Sequence, residues 1–448
     1  MIRYRDILQK AWPVVLANAA VPLLGLSDTA VIGNLGSLAD LGAIAFGAVI
    51  FSFVYWGFGF LRMGTTGFVA QAVGARDEAE IRAAFLRALI MAVVIGVCLI
   101  LLQTLITSIS LALLQGSDAV EQITRDYIAM RIWGAPAALV LFAISGCLIG
   151  LGHNRTLLLV QLLLNGLNLI LDIVFAGVMS MGAEGIGLGT ALAEWITVVI
   201  ALWLLFRVLL KRYSLQQSGD GSVPGTGFIP SPQLRNRTRW RQTLSANGDI
   251  MIRTLLLVAS FAWFVRQSAA FGDDALAANH ILLQLISFSA FFLDAFAYVA
   301  EAMVGEAAGA KKLSVFDEAV IRTTQLSALS ALILAAIILL AGNVIVQLLS
   351  QHEPVREAAA ASLPFAAVYV ALAFAAFQLD GIFIGTTRTR EMRNASVASA
   401  GLFFGLSLWT VPLLGMPGLW TAFIVFVVLR ALCLLWYLPR LRQALLSN

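Results

Sequence analysis

The sequence predicts an all-α integral membrane protein: twelve transmembrane helices in two six-helix bundles related by a parallel pseudo-two-fold repeat. Three observations lead there. Of 448 residues, 60% are hydrophobic and only 12% charged, whereas a soluble domain carries about 25% charged residues and needs a polar exterior at any size. The apolar residues fall into twelve runs long enough to cross a bilayer. The two halves of the chain also repeat short motifs in the same order.

The runs lie near 11–33, 41–63, 84–114, 127–150, 156–179, 185–210, 247–270, 276–303, 317–341, 357–385, 393–414 and 417–439. Pro13, Pro22, Pro136 and Pro364 fall inside them, which membrane helices tolerate where neighbours satisfy the freed backbone groups. Arg3, Arg5 and Lys10 precede the first run, and no small-residue cleavage site follows it. It is therefore expected to remain as a first helix and not to be removed as a signal peptide.

Basic residues set the orientation. With a cytoplasmic amino terminus, the inside segments hold Arg3, Arg5, Lys10, Arg76, Arg82 and Arg155, then Lys211, Arg212 and the run Arg235–Arg241. They also hold Lys311, Lys312, Arg388, Arg390, Arg393, Arg440 and Arg442. Only Arg125, Arg131, Arg266 and Arg356 are left for the outside. The bias alternates correctly across all twelve spans and puts both termini in the cytoplasm.

Between the halves, SLQQSGDGSVPGTGFIPSP (214–232) is rich in Gly, Ser and Pro and is expected to be flexible. The chain thus divides into an N-terminal bundle (1–213), a cytoplasmic linker (214–244) and a C-terminal bundle (245–448). The basic run RNRTRWR suits anionic headgroups. Membrane lipids and a small-molecule substrate are the expected partners, nucleic acid is not, and a monomer is expected.

The repeat has a nearly constant offset. Gly146, Gly150 and Arg155 match Gly381, Gly385 and Arg390 at 235, and AQAVGA (70–75) matches GEAAGA (305–310) at the same interval. MGAEG (181–185) matches LGMPG (414–418) at 233. Six spans per half bring both copies into the membrane from the same side. Such parallel repeats are expected to enclose a substrate cavity, as in a rocking transporter. Two unequal halves suit a symmetric pore less well.

Charges inside the hydrocarbon are costly and usually functional. Asp28, in VPLLGLSDTAVIG, lies roughly 25 Å along its helix from the inner end, at about 1.5 Å per residue. Asp172, in NGLNLILDIVF, lies at a similar depth. Asn165, Asn168 and Asp172 are spaced i, i+3, i+7 and line one helical face, and Thr190 reaches a comparable depth from the outside. These five residues make a candidate ion or proton site, with a helix-packing polar network as the alternative. Low dielectric disfavours a bare carboxylate, and a second one nearby disfavours it further, so such a pair can exchange a proton or a cation.

The second half differs. Its positions equivalent to Asp28 and Asp172 fall near Trp263 and Gly405, both uncharged. It carries instead Asp294, Glu301 and Asp380 toward the inner ends of their helices. These either line the cavity as secondary coupling groups or cap helix ends and pair with Arg388 or Lys311; Asp294 is the deepest. Glu194 and Arg253 also lie within spans, where ion pairing or snorkelling accounts for them.

Other chemistries leave no trace. Cys98, Cys147 and Cys433 sit in apolar runs without a CxxC, and His153, His280 and His352 have no ligand spacing. There is no HExxH, GxSxG or GxxxxGK[ST], so neither a membrane enzyme nor an ATP-driven pump is indicated. GIGLG (185–189) opens a membrane helix, where close helix packing explains it better than phosphate binding. No metal centre and no cofactor are expected.

Several longer strings resemble the multidrug and toxic compound extrusion (MATE) family, specifically its DinF-type branch. They are VPLLGLSDTAVIG, LRMGTTGFVAQAVGA, NGLNLILDIVF, GAEGIGLGTALAEW, LDGIFIGTTRTREMRN and GLWTAFIVFVVLRAL, and the likeness runs essentially end to end. It implies a bacterial inner-membrane antiporter that expels lipophilic, often cationic compounds by alternating access, driven by protons or sodium. It assigns coupling to Asp28, with Asp172, Asn168 and Thr190 as its companions or as Na⁺ ligands. It places a first-helix bend at Pro13 and matches a tenth-helix acid with Asp380. The chain departs from some branches: Ser145 stands near a fourth-helix polar ligand, and Arg253 stands on a seventh helix that elsewhere carries glutamate. Both departures favour H⁺ over Na⁺. A lipid or lipid-linked oligosaccharide flippase remains the alternative, although basic residues at mid-membrane depth would be expected for it.

Overall fold

Sixteen α-helices account for nearly all of the computed structural model, which describes residues 2–35, 37–218 and 228–446; the side chains of 21–27, Pro22 among them, and of 33–35, 38, 217, 218 and 446 lie outside the described set. No strand occurs among the described residues. The helices are α1 (Tyr4–Leu35), α2 (Leu38–Trp56), α3 (Phe60–Gly74), α4 (Glu78–Leu101), α5 (Gln103–Leu114), α6 (Asp118–Arg131), α7 (Ala135–Gly150), α8 (Asn154–Asp172) and α9 (Gly182–Ser218). After a short α10 (Ser231–Arg235) follow α11 (Arg237–Ala269), α12 (Asp273–Gly309), α13 (Leu313–Leu349), α14 (Glu353–Gly385), α15 (Thr389–Leu414) and α16 (Met416–Leu446). Among the described residues, eleven segments are long and apolar enough to cross a membrane. With the 32-residue α1 they form the twelve-helix, two-bundle architecture.

The chain forms two units, Leu16–Thr243 and Leu244–Asn448 together with Met1–Val15. The first helix is therefore divided between them. Its opening turns belong with the C-terminal helices because Ile7 and Ala11 are buried against Phe296 and Val299, and Tyr4 Oη donates to Gln325 at 2.7 Å. The helix continues unbroken through Pro13, although a proline there leaves the carbonyl of Gln9 without its intrahelical donor.

The spans of the first half are longer and more interrupted than the apolar runs suggested. The second one breaks at Gly57–Gly59 and continues as α3. The third splits at Leu102 into α4 and α5. The fourth narrows to a 3₁₀ turn at Ile132–Gly134, just before Pro136, whose missing N–H removes the bond that would close on Ile132. The fifth widens into a π-helical turn, Ile173–Val178, directly after Asp172. Asp40 fixes two helix starts at once. Its Oδ2 accepts from the Ser37 backbone at 2.9 Å in a capping box, and its Oδ1 accepts from Ala183 N at 3.2 Å at the start of α9.

Within the linker, helix persists to Ser218 and resumes at Ser231; 219–227 lie outside the described residues. Its far end rests on α4, where Arg82 Nε donates to Phe228 O at 2.9 Å and its guanidinium covers the Tyr213 ring at 4.8 Å.

The repeat is visible in the packing of each unit. A methyl group at Gly146 would collide with the carbonyl oxygen of Arg62, and one at Gly150 would lie 2.9 Å from that of Thr66. In the other unit Gly381 meets Ala297 O and Gly385 meets Glu301 O in the same way. All four pairs obey the interval of 235, so α7 crosses α3 as α14 crosses α12. The left-handed residues that end helices keep the same interval: Arg76 and Lys311, Gly152 and Thr387, Ser180 and Gly415. The third pair resets the register of the last loop from 233, read from MGAEG and LGMPG, to 235. By this register the counterpart of Asp172 is Ser407, two positions beyond Gly405.

Candidate functional site

The unit Leu16–Thr243 gathers its polar residues where α1, α6, α8 and α9 meet. Asp28, on α1, is 3% exposed; Asp172, the last residue of α8, is fully buried. The two carboxyls face one another within hydrogen-bonding reach. No N–H or O–H donates to Asp28 Oδ1 or to either oxygen of Asp172. Two carboxylates offer only acceptors, so a bond between them requires a proton on one of them. Gly189 of α9 makes this seat possible, since a methyl group there would lie 2.5 Å from Asp172 Oδ1.

The companions predicted from the sequence surround the pair. Asn168, one turn before Asp172, donates from Nδ2 to Thr190 Oγ1 at 3.0 Å, and Thr190 donates to Ile186 O at 2.9 Å. Asn168 Oδ1 is buried and accepts no bond. Asn165 donates to the backbone carbonyl of Ala20 at 2.7 Å, tying α8 to α1. Its own Oδ1 is also without a donor. A carboxylate pair bordered by amide and hydroxyl oxygens suits a proton, and it also supplies the hard donors that a small cation takes.

Three groups outside the predicted five belong here as well. Arg131, counted with the outside ends and loops and lying at the outer end of the run 127–150, is 8% exposed. It donates to Tyr127 Oη, lies 4.5 Å over the Phe51 ring and is an electrostatic neighbour of Asp28 and Glu194. Glu194 is buried, with no donor to Oε2, and Tyr55 Oη is buried nearby without a partner. Spacing carried a usable signal: Tyr127 and Arg131, and Thr190 and Glu194, are both i, i+4 pairs.

The acids of the second unit are not gathered in this way. Asp380 accepts from Arg253 and from Arg430, the latter at 3.1 Å, and links α14 to α11 and α16. Arg388, considered as its partner, lies beyond the helix end and faces Glu391 at 3.6 Å. Asp294 is half-buried and is an electrostatic neighbour of Arg430. Glu301 is 1% exposed, at the α12–α14 crossing. Pro13 is buried on the part of α1 that belongs to this unit. Among the described residues no group of three His, Cys, Asp or Glu side chains could hold a metal ion.

The profile of the MatE family matches residues 13–174 and 250–409, once in each half. The chain belongs to the MATE family. It is 36% identical over 425 residues to DNA damage-inducible protein F of Escherichia coli K12, covering 95% of this chain and 89% of that protein. It is 24% identical to the probable multidrug resistance protein NorM of Pasteurella multocida, over 97% of this chain and 93% of that one. In three dimensions it is similar to a Vibrio cholerae MATE transporter solved in a bent form, with a TM-score of 0.85 at 18% identity over 99% and 97% of the two chains. As a MATE protein of the DinF type, it is a multi-pass membrane transporter in a multidrug-efflux family.

Proposed function

We propose that this MATE chain is a proton-driven antiporter that exports small lipophilic, often cationic, organic compounds across the bacterial cytoplasmic membrane, with Asp28 and Asp172 as its coupling pair. One observation carries the reading: two buried carboxyls face each other, and three of their oxygens, Asp28 Oδ1 and both of Asp172, accept no hydrogen bond. Arg131 can offset one of the two charges, and burying the uncompensated second one is strongly unfavourable, so the pair must take up a proton or a cation while it is closed to water. Releasing that ion on one side and binding it on the other biases the alternation between inward and outward openings. Basic residues crowd the segments assigned to the inside, which supports cytoplasmic termini. The names of the NorM relatives support organic toxicants as cargo.

The second reading is sodium. The unpartnered Asn168 oxygen and the Thr190 hydroxyl favour it, since they add neutral oxygens to the two carboxylates. The acids of the other unit support neither ion at Asp380, where two guanidiniums already supply the countercharge.

Purified protein in liposomes, with ethidium as the probe, tests both. A pH gradient alone is expected to drive ethidium uptake, and Asp28→Asn is expected to abolish it. Transport that runs on a sodium gradient and ignores pH reverses the ion; full transport by the variant removes Asp28 from the mechanism.

A further inference from the structure

Glu194 is not needed to explain the pair above, yet it shares its surroundings. It lies on α9 one turn beyond Thr190 and is 6% exposed. Its Oε2 rests against the bare Cα of Gly134, in the 3₁₀ turn between α6 and α7, where any side chain would collide with it. Trp195 holds α9 to the same turn, donating from Nε1 to Trp133 O at 2.9 Å. No N–H or O–H reaches Glu194 Oε2. A buried glutamate is thus seated by the break in its neighbour, and half of its carboxyl is left without a donor.

The titratable groups facing it are Asp28 from α1, Tyr55 from α2 and Arg131 from α6, and Tyr127 of α6 and Asp172 of α8 adjoin Asp28 and Arg131 in turn. Those brought to α9 by α4 and α7, Glu78 and Cys147, lie at its other end beside Arg212. The site therefore holds three carboxyls and a single guanidinium, which keeps its proton throughout. With all of them ionised, two negative charges would remain buried without a partner.

We propose that Glu194 is a third coupling carboxyl, that Arg131 is the built-in counter-cation of the group, and that each turnover moves two protons. The proposal rests on Asp28 and Asp172 forming the coupling site. Each uptake converts a carboxylate to a carboxylic acid, and each release reverses it, so the exchange balances without any further reactant. Arg131 acts as a positioning residue: it holds the surplus at two, a number that two protons cancel.

Infrared difference spectroscopy of the protein in bilayers, titrated with pH, reads carboxylic C=O bands without any substrate. Glu194→Gln is expected to delete one titrating band and leave that of Asp28. In liposomes with ethidium, the same change is expected to lower the proton count, read from the reversal potential, from two to one. Asp28→Asn, run in parallel, reports on the underlying reading. Loss of transport in Asp28→Asn alongside an unchanged spectrum and count in Glu194→Gln overturns the third carboxyl and keeps the pair; full transport by Asp28→Asn overturns the pair itself. Should the glutamine variant fail to fold, Glu194→Asp keeps the acid on a shorter arm. It is expected to retain two-proton coupling with a displaced pH midpoint, and a midpoint that stays in place also refutes the proposal.

Discussion

The two bundles answer the same backbone problem with opposite interiors. Where the first has Asp28 facing Asp172, the second has Trp263 and Ser407 at the same interval, joined by a neutral hydrogen bond of 2.9 Å from Nε1 to Oγ. Where the first has Asn168, the second has Phe403, within an aromatic cluster of Phe264, Trp420, Phe423 and Phe426 whose ring centroids lie 4.7 to 6.3 Å apart. Each such ring pair contributes about 0.5–1.5 kcal/mol beyond its buried area. The helices follow the same division. The first half is interrupted at Gly57–Gly59, Leu102, Ile132–Gly134 and Ile173–Val178, while α12, α13, α14 and α15 run on at the matching places. Irregular backbone inside a membrane is tolerated where protein or water satisfies it, and it often marks function. A duplicated scaffold has kept the helices of one half continuous, with its buried acid Asp380 paired to two arginines, and broken those of the other around unpaired carboxyls.

That contrast can be broken by exchange. Replacing Asp28 and Asp172 together by Asn is expected to reduce gradient-driven ethidium transport at least ~100-fold, since pre-organised charge in a dry site has no substitute in water. Replacing Trp263 by Phe and Ser407 by Ala is expected to leave it within about twofold; comparable losses in both variants would end the distinction between the bundles.

The next effect is one of stability. Asp380→Asn leaves Arg253 and Arg430 buried without their countercharge. The expected destabilisation is about 3–5 kcal/mol, read as a lower thermal midpoint in detergent, and an unchanged midpoint would show that the arginines find another partner.

Gly189→Ala drives a methyl group against Asp172 Oδ1, whereas Gly405→Ala meets open space. The first is expected to slow transport by about tenfold, roughly 1.4 kcal/mol, and the second to be neutral. Equal effects from both would argue against a tight seat for Asp172. The smallest effect is expected from Asn165→Ala, which removes one hydrogen bond to Ala20 O and should lower stability by about 1 kcal/mol, with transport retained.

Much of this was legible in the residues. Composition and the twelve runs gave the architecture, because lipid exposure demands apolar side chains whatever the packing. Asp28, Asn168 and Asp172 stood out because polar groups are rare in such runs. Arg131 did not: beside a loop, an arginine on the outer surface and one turned inward over Phe51 have the same sequence. The partners of Asp380 were hidden for a related reason. Arg253 and Arg430 lie 127 and 50 residues away from it, and periodicity reports which face of a helix a residue occupies without saying which helix it meets. The split of the first helix at Val15 and Leu16 depends on Ile7 and Ala11 finding Phe296, a contact between distant segments that local pattern does not contain.

The matched left-handed corners at Arg76 and Lys311, Gly152 and Thr387, and Ser180 and Gly415 have one more consequence. They give the connectors of the two halves the same backbone turn at the same interval. A hybrid in which 75–77 and 310–312 trade places should keep its corners, because both ask for the same backbone shape, and should weaken the start of α4 by the loss of the Asp77 cap on Glu80 N. Evolution could then rewrite the interior of one copy while the joints that route the chain stayed as they were at the moment of doubling.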